Sequence, residues 1–233
     1  MNGNAGSWSS SIGKKLVVAL TGLALVGFLL AHLAGNLQVF GGQEPLNAYA
    51  QTLRDIGPAL WIARLGLLAL AGTHVLLALR LQAENSAARG AAYEVQRRQV
   101  ATPAARSMLL TGLLIVAFVL YHLAHYTWHV AHPEFAGRLD EAGRHDVYSM
   151  VVGSFGQPLI AGLYVVAIVL LGLHLSHGVS SVFQTLGFRH PRWERTLARV
   201  GPAFGTLVAA GYLSIPLAVQ AGLVTLPAGV AFP

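Results

Sequence analysis

The sequence predicts an all-α integral membrane protein with five transmembrane helices, four of them arranged as a bundle with the fifth alongside. Three observations carry this. The 233 residues are 55% hydrophobic and only 10% charged, with a mean hydropathy of +0.58, which is too apolar for an ordinary soluble domain. The apolar residues fall into five runs of the length, about 20 residues, that a helix needs to cross ~30 Å of hydrocarbon. A fourteen-residue stretch also occurs twice, once in the first run and once in the third. Thr21 to Ala34 read TGLALVGFLLAHLA and Thr111 to Ala124 read TGLLIVAFVLYHLA, with nine of fourteen positions identical.

Spans I to V are expected over residues 16–39, 59–81, 107–130, 157–183 and 202–224, within one domain covering 1–233. Span I follows Lys14 and Lys15 as a secretory leader would, but it is longer than a leader core and is the repeat partner of span III. It is therefore expected to be a retained helix. Pro58, Pro158 and Pro202 stand where spans II, IV and V should begin, as suits a residue without a backbone N–H. Pro133 and Pro227 follow the ends of III and V, and Pro216 is expected to kink V.

The formal charge of +6 belongs to topology rather than to nucleic acid. Eleven of the fifteen Lys and Arg fall on one side: Lys14, Lys15, Arg80, Arg89, Arg97, Arg98, Arg106, Arg189, Arg192, Arg195 and Arg199. The other side has Arg54, Arg138 and Arg144, with Arg64 inside span II. The positive-inside rule then puts the N-terminus in the cytoplasm and the C-terminus outside the inner membrane. There is no cysteine, which removes disulfides, thiolate metal sites and iron–sulfur ligation by this chain.

Both copies of the repeat carry a histidine, His32 and His122. At an offset of one hundred, Leu70, Gly72 and His74 recur as Leu170, Gly172 and His174. Ionisable groups within a span are expensive and mark function. Spans I and III run outward, which puts His32 and His122 roughly 23 Å from the inner edge at ~1.5 Å per residue. Spans II and IV run inward, so His74 and His174 form a second, inner tier, about 15 Å from the first. A single membrane histidine is commonly a structural hydrogen bond; four, one per helix at two matched depths, point to two pairs of axial ligands. Zinc would ask for one tetrahedral cluster with carboxylates or thiolates, and the spans hold no deep carboxylate. Two haem b groups fit better, since there is no C-x-x-C-H attachment motif. Two imidazoles per iron leave no open position, so the expected role is electron transfer. Each ring is expected to donate its other N–H to the carbonyl one turn earlier.

His177, one turn after His174, competes as a ligand or haem contact, and the repeat favours His174. His125, His129 and His132 continue from His122 at helical spacing, either as a solvated helix end or as a proton path beside the outer haem. Arg64 either snorkels to the interface or meets a haem propionate. The segment GGQEPLNAYAQTLRDIG between I and II is dense in polar residues and is a candidate rim for a quinone, with Glu44 as its acidic group. The loop from Pro133 to Phe155 has no assigned fold.

SSSIGKKLVVALTG, AHLAGNL, LNAYAQTLR, LYHLAHY and LGLHLSHGVSSVFQTLG together resemble the cytochrome b558 subunit of succinate dehydrogenase and fumarate reductase, of the single-chain, five-helix, two-haem type. The resemblance extends over nearly the whole chain. It implies a membrane anchor bound to a flavoprotein and an iron–sulfur subunit, exchanging electrons with menaquinone or ubiquinone, in either direction of catalysis and within a possible higher oligomer of the complex. It also implies one ligand from each of the first four helices, at His32, His74, His122 and His174, and an acidic residue near the outer haem, matched here by Glu44. Two alternatives remain: the di-haem anchor of another quinone-linked enzyme, of hydrogenase or formate dehydrogenase type, and a transporter without haem. A bc-type cytochrome b, with two histidines on each of two helices, does not match the repeat.

Overall fold

A computed structural model describes residues 10–87, 107–188 and 192–230. These form seven α-helices, five of them long and apolar enough to cross a membrane, and no strand. The basic residues Arg89, Arg97, Arg98, Arg106 and Arg189 lie outside the described residues.

Helix α1 (Ser11–Asn36) begins at Ser10, whose side chain accepts a hydrogen bond from the Gly13 N–H at 3.1 Å, and runs on through a 3-10 turn to Gly41. Gly42, with φ of 96°, then breaks the helix and opens α2 (Gln43–Asp55). A second left-handed glycine, Gly57 at φ 58°, turns the chain into α3 (Pro58–Ala87). Helix α4 covers Met108–Tyr126, α5 Val147–Gly156, α6 Pro158–Thr185 and α7 Glu194–Gln220.

The five spans are those expected, with shifted ends. Pro58 and Pro158 open their helices, but Pro202 is interior, because α7 starts eight residues earlier at Glu194. The third span stops at Tyr126 rather than 130, so His129 and His132 leave the helical stripe. Two helices were not anticipated. The polar segment after span I is the amphipathic α2, and the unassigned loop contains α5, whose residues from Tyr148 to Phe155 are all buried. Both lie at the same end of the bundle and close it as a cap.

The long helices pair as two hairpins. Helix α1 packs on α3, α4 packs on α6, and α1 also meets α6. Helix α7 lies along α6 more intimately than any other pair. Small residues make this possible: a methyl at Gly201 or Gly205 would collide with Ser176 and Ser180 or with the Gly172 backbone of α6. Across the middle of the bundle the picture reverses. Helices α1 and α4 make only marginal backbone approach, and so do α3 and α6. Buried apolar residues concentrate at the cap, around Val39, Leu46, Val152, Phe155, Tyr164 and Val219, whereas α3 buries only Leu81. Side chains therefore close one end of the molecule and leave a seam between the hairpins.

The cap is knitted by one buried amide. Asn47, with no exposed surface, donates to Asp140 at 3.1 Å and to Asp146 at 3.0 Å, and accepts from the Tyr148 N–H at 2.9 Å. Asp146 caps α5 by accepting from the Ser149 N–H, and it also accepts from Gln43. Burial pushes both aspartates up, yet these hydrogen bonds, with Arg144 beside Asp140, outweigh it and hold both carboxyls below their ordinary range. A carboxyl depressed in the folded state contributes stability that is complete above the unfolded value, near 3.9, and is lost as the pH falls through the folded one. The hydrogen-exchange protection factor at 147–156, taken relative to the intrinsic rate at each pH, should accordingly hold from neutrality to about pH 4 and fall below it; constant protection down to pH 2 would contradict this account.

Candidate functional site

The seam is where the histidines stand. His32 on α1 and His122 on α4 face each other across it, with ring centres 5.9 Å apart and planes 88° apart. Two imidazoles that bind one metal from opposite sides, at about 2.0–2.1 Å per bond, stand roughly 6 Å apart between ring centres. A phenylalanine one turn earlier flanks each ring, as the repeat requires: Phe28 stacks on His32 at 5.4 Å and Phe118 lies 6.0 Å from His122. Tyr164 of α6 places its hydroxyl 3.4 Å from the His122 Nδ1. Tyr212 of α7 sits 6.2 Å from His32 and ties the two helices by donating to the Leu29 carbonyl at 2.7 Å.

His74 on α3 and His174 on α6 stand nearer the uncapped end. The His74 Nδ1 lies 3.1 Å from the Val18 carbonyl and 3.2 Å from the Thr21 hydroxyl, both on α1. The His174 Nδ1 lies 3.3 Å from the Thr111 hydroxyl on α4. The second ring nitrogen is therefore met by the neighbouring helix, not by the carbonyl one turn earlier as expected from sequence. Thr21 and His32 are eleven residues apart, as are Thr111 and His122. At ~1.5 Å per residue the two tiers are separated by about 16 Å.

The other described histidines lie elsewhere. His125 has no exposed surface, and both its nitrogens have partners: Nδ1 with the Tyr164 hydroxyl and Nε2 with the Ser154 hydroxyl, each at 3.0 Å. The Nε2 of His177 meets the Ser181 hydroxyl of its own helix at 3.0 Å. His132 pairs with Glu134 at 2.8 Å, and His129 sits at φ 52° beside His145, ring centres 5.5 Å apart. Burial first, and then Arg54, hold His129 and His145 below the ordinary imidazole range. The four seam histidines differ from all of these. Among the described residues no Nε2 of the four has a hydrogen-bond partner or is sealed without one.

Arg64 lies on the exposed face of α3 with its guanidinium 5.0 Å over the Trp61 ring. Glu44 is exposed on the cap and pairs with Arg144 at 3.1 Å. Neither is brought to the histidine pairs by a described contact. Sequence reasoning missed Thr21, Thr111, Tyr164 and Tyr212. The two threonines carried a signal, since the Thr–Gly step is identical in both copies of the repeat; the tyrosines carried none.

The donor set suits haem. His32 and His122, on helices whose backbones stay apart, with open Nε2 atoms and Phe28 and Phe118 beside them, match a flat apolar cofactor gripped from both faces, and His74 and His174 offer the same donors toward the uncapped end. Groups of three or more His, Asp or Glu, as a bare ion would need, do not occur among the described residues. No family model, curated protein or solved structure matches the chain.

Proposed function

We propose that the chain is the di-haem b membrane anchor of a succinate:quinone oxidoreductase, a succinate dehydrogenase or fumarate reductase, carrying electrons between an iron–sulfur subunit and membrane quinone. The observation that supports this most is the pair of bis-histidine stations, each shared between the two hairpins and set about 16 Å apart along α1. The sequence resemblance to the cytochrome b558 subunit, carried in part by the same histidines, agrees with it.

His32 and His122 hold one haem through Nε2, and His74 and His174 hold the other. Haem b with two imidazoles supplies a one-electron couple without an open coordination position. The chain's part is to orient the four rings, to wall the seam with Phe28, Phe118 and Tyr164, and to keep water from the capped tier. Cysteine is absent, so an iron–sulfur cluster must come from a partner subunit, and the flavin is assigned to a partner as well. We assign these to the uncapped end, which by the positive-inside rule faces the cytoplasm across the inner membrane. Quinone is assigned to the capped end, where Glu44 and Arg144 place a paired acid and base at the rim. Arg64, above Trp61 at the same end, is the cation assigned to a propionate.

Purification in mild detergent tests the reading. The expected product has a reduced b-type spectrum, two haems per chain, and a flavoprotein and a cysteine-rich protein in stoichiometric amounts. A chain with no haem absorption sinks the proposal. Two haems with different partners would move it to another quinone-linked complex.

A further inference from the structure

The Thr–Gly step that opens each copy of the repeat does not serve the histidine of its own copy. Thr21 and Gly22 of α1 touch His74 of α3, and Thr111 and Gly112 of α4 touch His174 of α6. We propose that these two steps are the positioning elements of the His74/His174 pair, fixing which ring nitrogen carries the proton and how each ring is turned, and thereby setting the electron affinity of the haem held there. This rests on the di-haem reading and goes beyond it, to what tunes one haem and not the other.

The tautomer follows from counting protons. A threonine hydroxyl has one, and in both helices it is used on the backbone. The Thr21 Oγ1 is 2.7 Å from the Val17 carbonyl, and the Thr111 Oγ1 is 3.0 Å from the Ser107 carbonyl. Each hydroxyl can then only accept from the imidazole, so the nitrogen facing it must be an N–H. The Val18 carbonyl, 3.1 Å from the His74 Nδ1, can likewise only accept and demands the same tautomer. A neutral imidazole has a single N–H, and with Nδ1 protonated the Nε2 lone pair is free on both rings. This is the arrangement in which an outer partner raises a ligand's basicity.

The glycines decide how closely the ring can approach. A Cβ at Gly22 would stand 3.1 Å from the His74 Cε1, and one at Gly112 would stand 3.4 Å from the His174 Cε1. A side chain at Gly22 would press on the edge of the His74 imidazole, whereas one at Gly112 would only come into van der Waals contact with His174. The two sites also differ in a useful way. His74 has two acceptors on α1, whereas Thr111 is the one described partner of the His174 Nδ1.

The test is a redox titration with low-temperature EPR on the purified two-haem protein. Thr111→Val keeps the shape and removes the acceptor, and it should raise the midpoint potential of one haem and leave the other unchanged. The haem that moves should be the one missing from His174→Ala. Thr21→Val should move the same haem by less, because the Val18 carbonyl still accepts. Thr111→Ser keeps a hydroxyl that bonds back to Ser107, and should restore the wild-type potential. Gly22→Ala should alter the EPR signal of that haem, and loss of that haem alone in Thr111→Val would be the stronger form of the same result. Unchanged potentials and EPR in Thr111→Val would overturn the proposal, and so would equal disturbance of both haems by Thr111→Val and Thr111→Ser. A wild-type chain without haem is a different outcome and defeats the underlying reading.

Discussion

Alanine at His74 is expected to give the same spectrum as alanine at His174: one haem per chain, with the other retained. The two rings belong to different hairpins, so nothing in the packing of one helix links them; only shared ligation of one iron makes the two variants equivalent. His32→Ala and His122→Ala should give the complementary loss. The wild-type spectrum is then the sum of the two classes. Quantitation of haem against protein, with optical redox titration of what remains, distinguishes this from general collapse. If His74→Ala and His174→Ala removed different haems, or if either left both in place, the pairing would be wrong. His177→Ala is the cleaner control, since its Nε2 is hydrogen-bonded to Ser181 of its own helix, and His125→Ala is a second, although His125 shares Tyr164 with His122. They should retain two haems even where His125→Ala lowers stability.

Asn47→Ala should destabilise the cap by about 2–4 kcal/mol, since a buried amide with three partners is lost at once. The Tyr148 N–H would lose its acceptor, while Asp140 and Asp146 would each lose a donor in a site with almost no water. The cap holds α2, α5 and the loop before α5 together, so the damage should spread across all three. Lower thermal stability and faster exchange over 147–156 are the expected readouts. The His74/His174 tier, toward the other end of the bundle, should keep its spectrum. A variant that melts like wild type would mean that α5 is held by its apolar face alone and that the Asn47 network adds nothing.

What sequence could and could not reveal divides along physical lines. The five spans were legible because hydrocarbon length and apolar composition are local properties of a run. Their ends were less so: α7 begins at Glu194 among charged residues that no hydropathy window would include, and Pro202 is tolerated inside it. The cap was invisible to the same windows. Helix α2 is short and polar on one face, and α5 spans ten residues that are buried only because α2, α6 and α7 surround them. The seam histidines were picked out by the repeat, since a duplicated residue keeps its depth. The partners of those histidines were not, because a contact such as Thr111 with His174 joins positions 63 residues apart and depends on how two helices are turned. The repeat contained both threonines, but nothing in one sequence says that they answer to a different helix.

The division of labour between hairpins has a consequence for biosynthesis. Threonine-to-histidine contacts lie within a hairpin, α1 with α3 and α4 with α6, whereas each histidine pair is split between hairpins. The first hairpin to leave the ribosome can therefore orient its own inner ring, yet it owns half of each station and completes neither. It waits in the lipid until α4 supplies His122 and completes the first station, and the second closes only when α6 supplies His174. On the di-haem reading, the order in which the chain is made decides when cofactor can be captured. A nascent chain arrested after α3 should hold no haem, and one released after α6 should be able to hold both.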